Sequence, residues 1–143
     1  MNQYKDEEMS ITVAGHSLGA SMSVLCATDI ALNGYNKPDG TTSNPNVPVT
    51  AFPFACPHVG NAGFAALVNS LSPTLRILRV TNKPDPVPTT PPTALGYVDV
   101  GQNLEINTSP YPVPASDASA HMPNIYLQGI MTSQGTGNSA GGS

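Results

Sequence analysis

Charge is scarce in this chain. Lysine and arginine number 5 and aspartate and glutamate 9 among 143 residues, a formal net charge of −4. The charged fraction, 10%, lies well below the usual quarter. The basic residues are scattered, so no cluster is set to neutralise a phosphate backbone, and no nucleic-acid partner is expected. Cysteine is scarcer still. Cys26 and Cys56 make no disulfide framework and stand in no metal-ligand spacing, so they are expected as buried thiols in a reducing compartment, and neither a metal nor another cofactor is expected. No apolar run approaches the ~20 residues of a transmembrane segment. The start, Met1 to Glu8, is polar and acidic, unlike a secretory or transit leader, which sets the expectation of a cytoplasmic location. Histidine occurs at three positions, His16, His58 and His121, which narrows any search for a general base.

What fills the space is 39% hydrophobic residues, enough for one domain's core, together with 15 prolines and 13 glycines that announce irregular loops. Ser10–His16 is a β-branched run ending in glycine, expected as a buried strand. Leu18–Asn33 has apolar residues at helical spacing and ends at Gly34, a natural stop. A polar loop follows, over 36–48. Val49–Cys56 is a second strand, weakened by the internal Pro53, and Asn61–Leu71 a short helix. Leu75–Thr81 is a third strand. Pro84–Pro92 holds five prolines and is expected as an extended loop. Gly96–Ile106 is expected as a strand pair or hairpin. A Pro- and Ser-rich loop runs to Ala120, and Met122–Met131 forms a last short helix. One domain over 1–131 and a flexible tail over 132–143 are expected. The alternation of strand and helix argues for a mostly parallel α/β sheet.

The strongest motif is Gly15-His16-Ser17-Leu18-Gly19, set between a strand and a helix. On such a tight turn the serine hydroxyl projects from the end of the sheet, and small flanking residues, Gly15 and Gly19, let strand and helix approach. The Leu18 N–H, at the helix N-terminus, is placed to stabilise an oxyanion. A serine needs a base. His16 is pinned in the turn. His121, late in the chain and just before a short helix, fits the order nucleophile, acid, histidine better than His58, which remains the alternative. For the acid, Asp85 lies in a loop just past the third strand, between prolines that would hold its carboxylate rigidly. Asp99 is expected inside a strand, and Asp117 is too close to His121.

These residues resemble the class 3 lipases, most closely the plant phospholipase A1 group of the cytosolic type. The stretches that carry the resemblance are Ser10–Ala20, Asp29–Tyr35, Pro48–Phe52, Pro57–Gly60, Leu78–Val80 and Gly96–Gly101. It runs from about Ser10 to Gly129. It implies an α/β-hydrolase fold with flanking helices, a triad of Ser17, Asp85 and His121, and hydrolysis of the sn-1 acyl ester of glycerolipids without metal. The implied partner is a lipid substrate, met at a membrane interface. Departures are His58 where many relatives resemble each other in an arginine, Cys56 in place of a serine, and Met122–Tyr126 after the histidine. About nine residues precede the elbow strand, where relatives carry early strands, a lid and a loop with a second oxyanion donor. The expectation is therefore a C-terminal catalytic portion lacking the N-terminal strands and lid, with one raw sheet edge. An acyl-ester hydrolase is the first reading; a truncated, catalytically incompetent relative or acyl-chain binder is the second.

Overall fold

The computed structural model describes residues 8–37, 46–109 and 117–135. Its centre is a four-stranded sheet built from β1 (Ile11–His16), β2 (Val49–Phe54), β4 (Leu75–Asn82) and β6 (Gln102–Ile106), in the order β1-β2-β4-β6. All three pairings are parallel. Helix α1 (Leu18–Asn33) follows β1 directly and lays Ala20, Val24 and Ala27 on Val49, Ala51 and Ile77. Small residues on this face let the helix approach closely, and burying Val24 alone contributes about 1.5–3 kcal/mol. Gly34 ends the helix at φ 72°, a left-handed position at which its N–H bonds the Ile30 carbonyl.

Helix α2 (Ala62–Ser70) is capped by the Asn61 side chain, which accepts from the Phe64 N–H at 3.1 Å. Helices α3 (Asp117–Ala120) and α4 (Pro123–Gly135) come last. Helix α4 covers the other sheet face, where Val80, Ile106 and Tyr126 form a second buried cluster.

Several expectations change. Strand β1 is half-buried: Ile11 and Val13 pack against the core on one face of the sheet, while Thr12 and Ala14 are exposed on the other. Pro53 does lie within β2. The ladder to β4 has partners at Ala51 and again at Phe54, so the missing proline N–H falls in the gap, and Ala55 N–H resumes pairing with the Val80 carbonyl at 3.0 Å. The expected hairpin over 96–106 is not formed. Its first strand, β5 (Tyr97–Val98), pairs antiparallel with β3 (Gly60–Asn61), while β6 joins the main sheet. Burial of Val100 and a left-handed turn at Gly101, packed on Ile77, carry the chain across β4 instead of folding it back. The proline-rich loop contains a 3₁₀ turn, Val87–Thr89, and a second, Thr93–Leu95, follows it. Helix α4 runs to Gly135, past the expected end at Met131, with the Thr132 hydroxyl bonded to Gln128 O and that of Ser133 to Ile130 O. The rest of the expected tail, 136–143, lies outside the described residues, as does most of the polar loop over 36–48. Of the cysteines Cys56 is buried and Cys26 exposed, since Cys26 faces away from the sheet.

Candidate active site

Ser17 stands between β1 and α1 at φ 56°, ψ −124°, a left-handed strain that a non-glycine residue holds only where its surroundings impose it. The imposing contacts are local. Ser17 N–H bonds the Phe54 carbonyl at 3.0 Å on the neighbouring strand, and its own carbonyl accepts from Ala20 N–H at 2.9 Å to start the helix. A β-carbon at Gly15 would lie 2.2 Å from the Gly19 carbonyl oxygen, so glycine is required there. Gly19 itself is a correction: a β-carbon on it meets nothing within 4 Å, so the close approach uses its backbone and not the lack of its side chain. Leu18 is the first helical residue, and its N–H has no acceptor within the helix.

Three residues far apart in the chain meet at the carboxyl ends of the strands. Ser17 Oγ is 2.8 Å from His121 Nε2, and His121 Nδ1 is 2.9 Å from Asp85 Oδ2. The tautomer that fits both contacts has Nδ1–H donating to the carboxylate and Nε2 accepting from the serine hydroxyl. The Asp85 side chain is wholly buried and that of His121 is 22% exposed. A buried carboxylate must be compensated. Here Val87 N–H donates to Oδ1 at 2.9 Å and the Tyr126 hydroxyl to Oδ2 at 2.6 Å, beside the histidine. Burial first, and the adjacent carboxylate second, raise the ionisation of the Tyr126 phenol far above its ordinary range, so it remains a neutral donor.

The residues that hold this arrangement escaped the sequence reading. Tyr126 also accepts from Asn82 N–H at 3.1 Å. The Asn82 side chain, buried at the end of β4, donates to the Ala120 carbonyl at 3.0 Å, immediately before the histidine. His16, expected only to be pinned, donates from Nε2 to the His121 carbonyl at 2.8 Å, and its ring lies 4.8 Å from that of His121. Asn82 follows the strand expected over Leu75–Thr81 and precedes Lys83, so nothing local marked it as a buried residue. His58, the alternative base, is occupied elsewhere with Pro91 and Asp99. Asp99 lies between β5 and β6 and not within a strand, paired with Arg79. No group of three or more His, Cys, Asp or Glu side chains suited to a metal ion occurs among the described residues.

The class 3 lipase profile matches residues 1–95. The chain belongs to the class 3 lipase family. The match takes in Ser17 and Asp85 and stops before His121. Among relatives, phospholipase A1-IIgamma of Arabidopsis thaliana is 46% identical over 139 residues, covering 95% of this chain and 32% of the relative. Phospholipase A1-II 4 of Oryza sativa subsp. japonica is 49% identical over 138 residues, covering 94% and 33%. This family member thus spans about a third of the length of the curated relatives it matches. Among solved structures, the mono- and diacylglycerol lipase of Aspergillus oryzae superposes with a TM-score of 0.55 at 28% identity, over 77% of this chain and 35% of its own. A triacylglycerol lipase whose catalytic centre is described as a serine protease triad gives 0.55 at 32% identity, over 73% and 36%. The shared architecture is the α/β-hydrolase fold.

Proposed function

We propose that this chain carries the catalytic portion of a phospholipase A1-like serine lipase that hydrolyses the sn-1 acyl ester of glycerolipids. The observation that carries the reading is the unbroken relay from Ser17 Oγ through His121 to Asp85, with separations of 2.8 and 2.9 Å. Ser17 Oγ attacks the ester carbonyl carbon while His121 Nε2 takes its proton. Asp85 holds the resulting imidazolium through Nδ1, and the Leu18 N–H stabilises the oxyanion. Collapse expels the alcohol, which leaves with the proton from His121, and water then releases the acyl group by the reverse sequence. The exposed side chains of Leu18 and Met122, next to the nucleophile and the base, support an apolar substrate presented at a membrane surface. No described helix is long and apolar enough to cross a membrane. The two unpaired cysteines support a cytoplasmic location.

The test is labelling by a fluorescent fluorophosphonate, beside Ser17→Ala, followed by fatty-acid release from phospholipid carrying distinct sn-1 and sn-2 chains. Labelling of the parent alone and release of the sn-1 chain are expected. A parent that stays unlabelled would favour the incompetent relative or acyl-chain binder, and release of the sn-2 chain would overturn the regiochemistry.

A further inference from the structure

We propose that His58 is a positioning residue for the catalytic acid, tying the segment that carries Asp85 back to the sheet. The inference rests on the reading of Asp85 as the triad acid. His58 follows β2, and its side chain is 6% exposed. Its backbone N–H donates to the Thr90 carbonyl at 2.7 Å, and ring Nδ1 lies 2.7 Å from the Pro91 carbonyl. Ring Nε2 lies 3.0 Å from Asp99 Oδ1. Asp99 in turn holds the buried guanidinium of Arg79, a residue of β4. The ring therefore joins the proline-rich segment on one side to the central sheet on the other.

That segment needs such a tie. It leaves β4 after Asn82 and passes Asp85 before the 3₁₀ turn Val87–Thr89. Val87 N–H donates to Asp85 Oδ1 at 2.9 Å. Thr90 N–H and Oγ1–H donate to the Val87 carbonyl at 3.0 and 2.8 Å. The residues that His58 holds are thus bonded to the residue that holds the carboxylate. The tie and the acid border one open cavity of about 420 Å³, lined by His58, Arg79, Asp99 and Asp85 among others. Pro88 is buried, whereas Thr89 and Thr90 beyond it are exposed, so polar ties add to the packing of the segment.

Both ring nitrogens of His58 face oxygens that only accept, a carbonyl and a carboxylate. An imidazole with one proton donates to one of them, whereas the imidazolium donates to both. The charged groups nearest the ring are Asp99 and Arg79, with Lys83, Asp85 and Glu105 around the cavity. Cys56, two positions earlier, donates from Sγ to the Pro57 carbonyl at 3.2 Å. Donors on two separate nitrogens, as in an imidazolium or a guanidinium, therefore close the tie on both sides, and a group with a single donor nitrogen leaves one side of it open.

The experiment compares the 143-residue chain with His58→Gln and His58→Arg. Amide hydrogen exchange at Val87 and Thr90 is read against the amides of β4, together with the rate of fluorophosphonate labelling at Ser17. In His58→Gln, exchange at Val87 and Thr90 is expected to quicken about tenfold with β4 unchanged. Labelling is expected to slow on the order of ten- to a hundredfold, because displacement of the acid misorients the histidine. His58→Arg restores both. Parental exchange at Val87 in His58→Gln would overturn the proposal, and so would His58→Arg behaving no better than His58→Gln. Equal acceleration throughout β4 would also overturn it, leaving a role in overall stability only. If the parent is not labelled, the proposed activity fails while the exchange measurement still decides the tie.

Discussion

A β-carbon added at Gly15 would stand 2.2 Å from the Gly19 carbonyl oxygen, whereas one added at Gly19 meets nothing within 4 Å. Gly15→Ala must move the helix start and with it the strained Ser17; it is expected to abolish fluorophosphonate labelling and to cost at least about 1–3 kcal/mol in thermal unfolding. Gly19→Ala is expected to keep labelling and to gain up to ~1 kcal/mol, because alanine favours the helix. Equal damage from both would show that the elbow is tighter than these contacts imply. Tyr126→Phe removes a donor from the buried Asp85 carboxylate and the acceptor of Asn82 N–H. It is expected to cost about 1–3 kcal/mol and to slow labelling roughly tenfold. The sign of its pH dependence follows from the raised ionisation of the folded phenol. The stabilisation is complete below the pH at which free tyrosine ionises, and is lost as pH rises through the folded value. In an ultraviolet alkaline titration, Tyr126→Phe should therefore lack the last-ionising phenol. The cysteines divide in the same way. Cys26 is exposed, whereas burial raises the Cys56 thiol, so maleimide should modify Cys26 first and Cys56 only on unfolding.

Elements place these side chains by close packing. A β-carbon at Gly129 in α4 would come within 2.6 Å of Ile106 Cδ1, the end of a side chain on β6, so the helix packs closely on that side chain. Tyr126 lies one turn earlier on the same face, 2% exposed. Gly129→Val should lift α4 and withdraw Tyr126 from Asp85, lowering stability by about 1–3 kcal/mol and slowing labelling, as followed by thermal melts and fluorophosphonate rates. Unchanged labelling would mean that α4 adjusts without moving the hydroxyl. The bounds of α1 were legible because a strained turn precedes the helix and a left-handed glycine follows it. Partners of strands were not: Gly96–Ile106 was legible as a strand pair, but nothing local states that Tyr97–Val98 and Gln102–Ile106 enter different sheets.

At the scale of the molecule, both outer strands of the four-stranded sheet are unpaired among the described residues, and α1 turns Leu18, Met22, Leu25 and Leu32 outward. A dye that binds apolar surface should fluoresce with this chain, and Met22→Lys with Leu25→Glu should reduce the signal without lowering the melting temperature. Retained fluorescence would place the apolar surface elsewhere. The amino-acid sequence by itself determined the succession of strand, elbow and helix around Ser17, because that geometry is set by sterics within a few residues. It also narrowed the base and acid through the scarcity of histidine and the position of Asp85 past a strand. Only the tertiary structure decided what surrounds them. His16, Asn82 and Tyr126 reach partners 105, 38 and 41 positions away, and His58 one 33 away. Such bonds depend on the order and crossing of strands, which the parallel sheet brings about and no local pattern encodes.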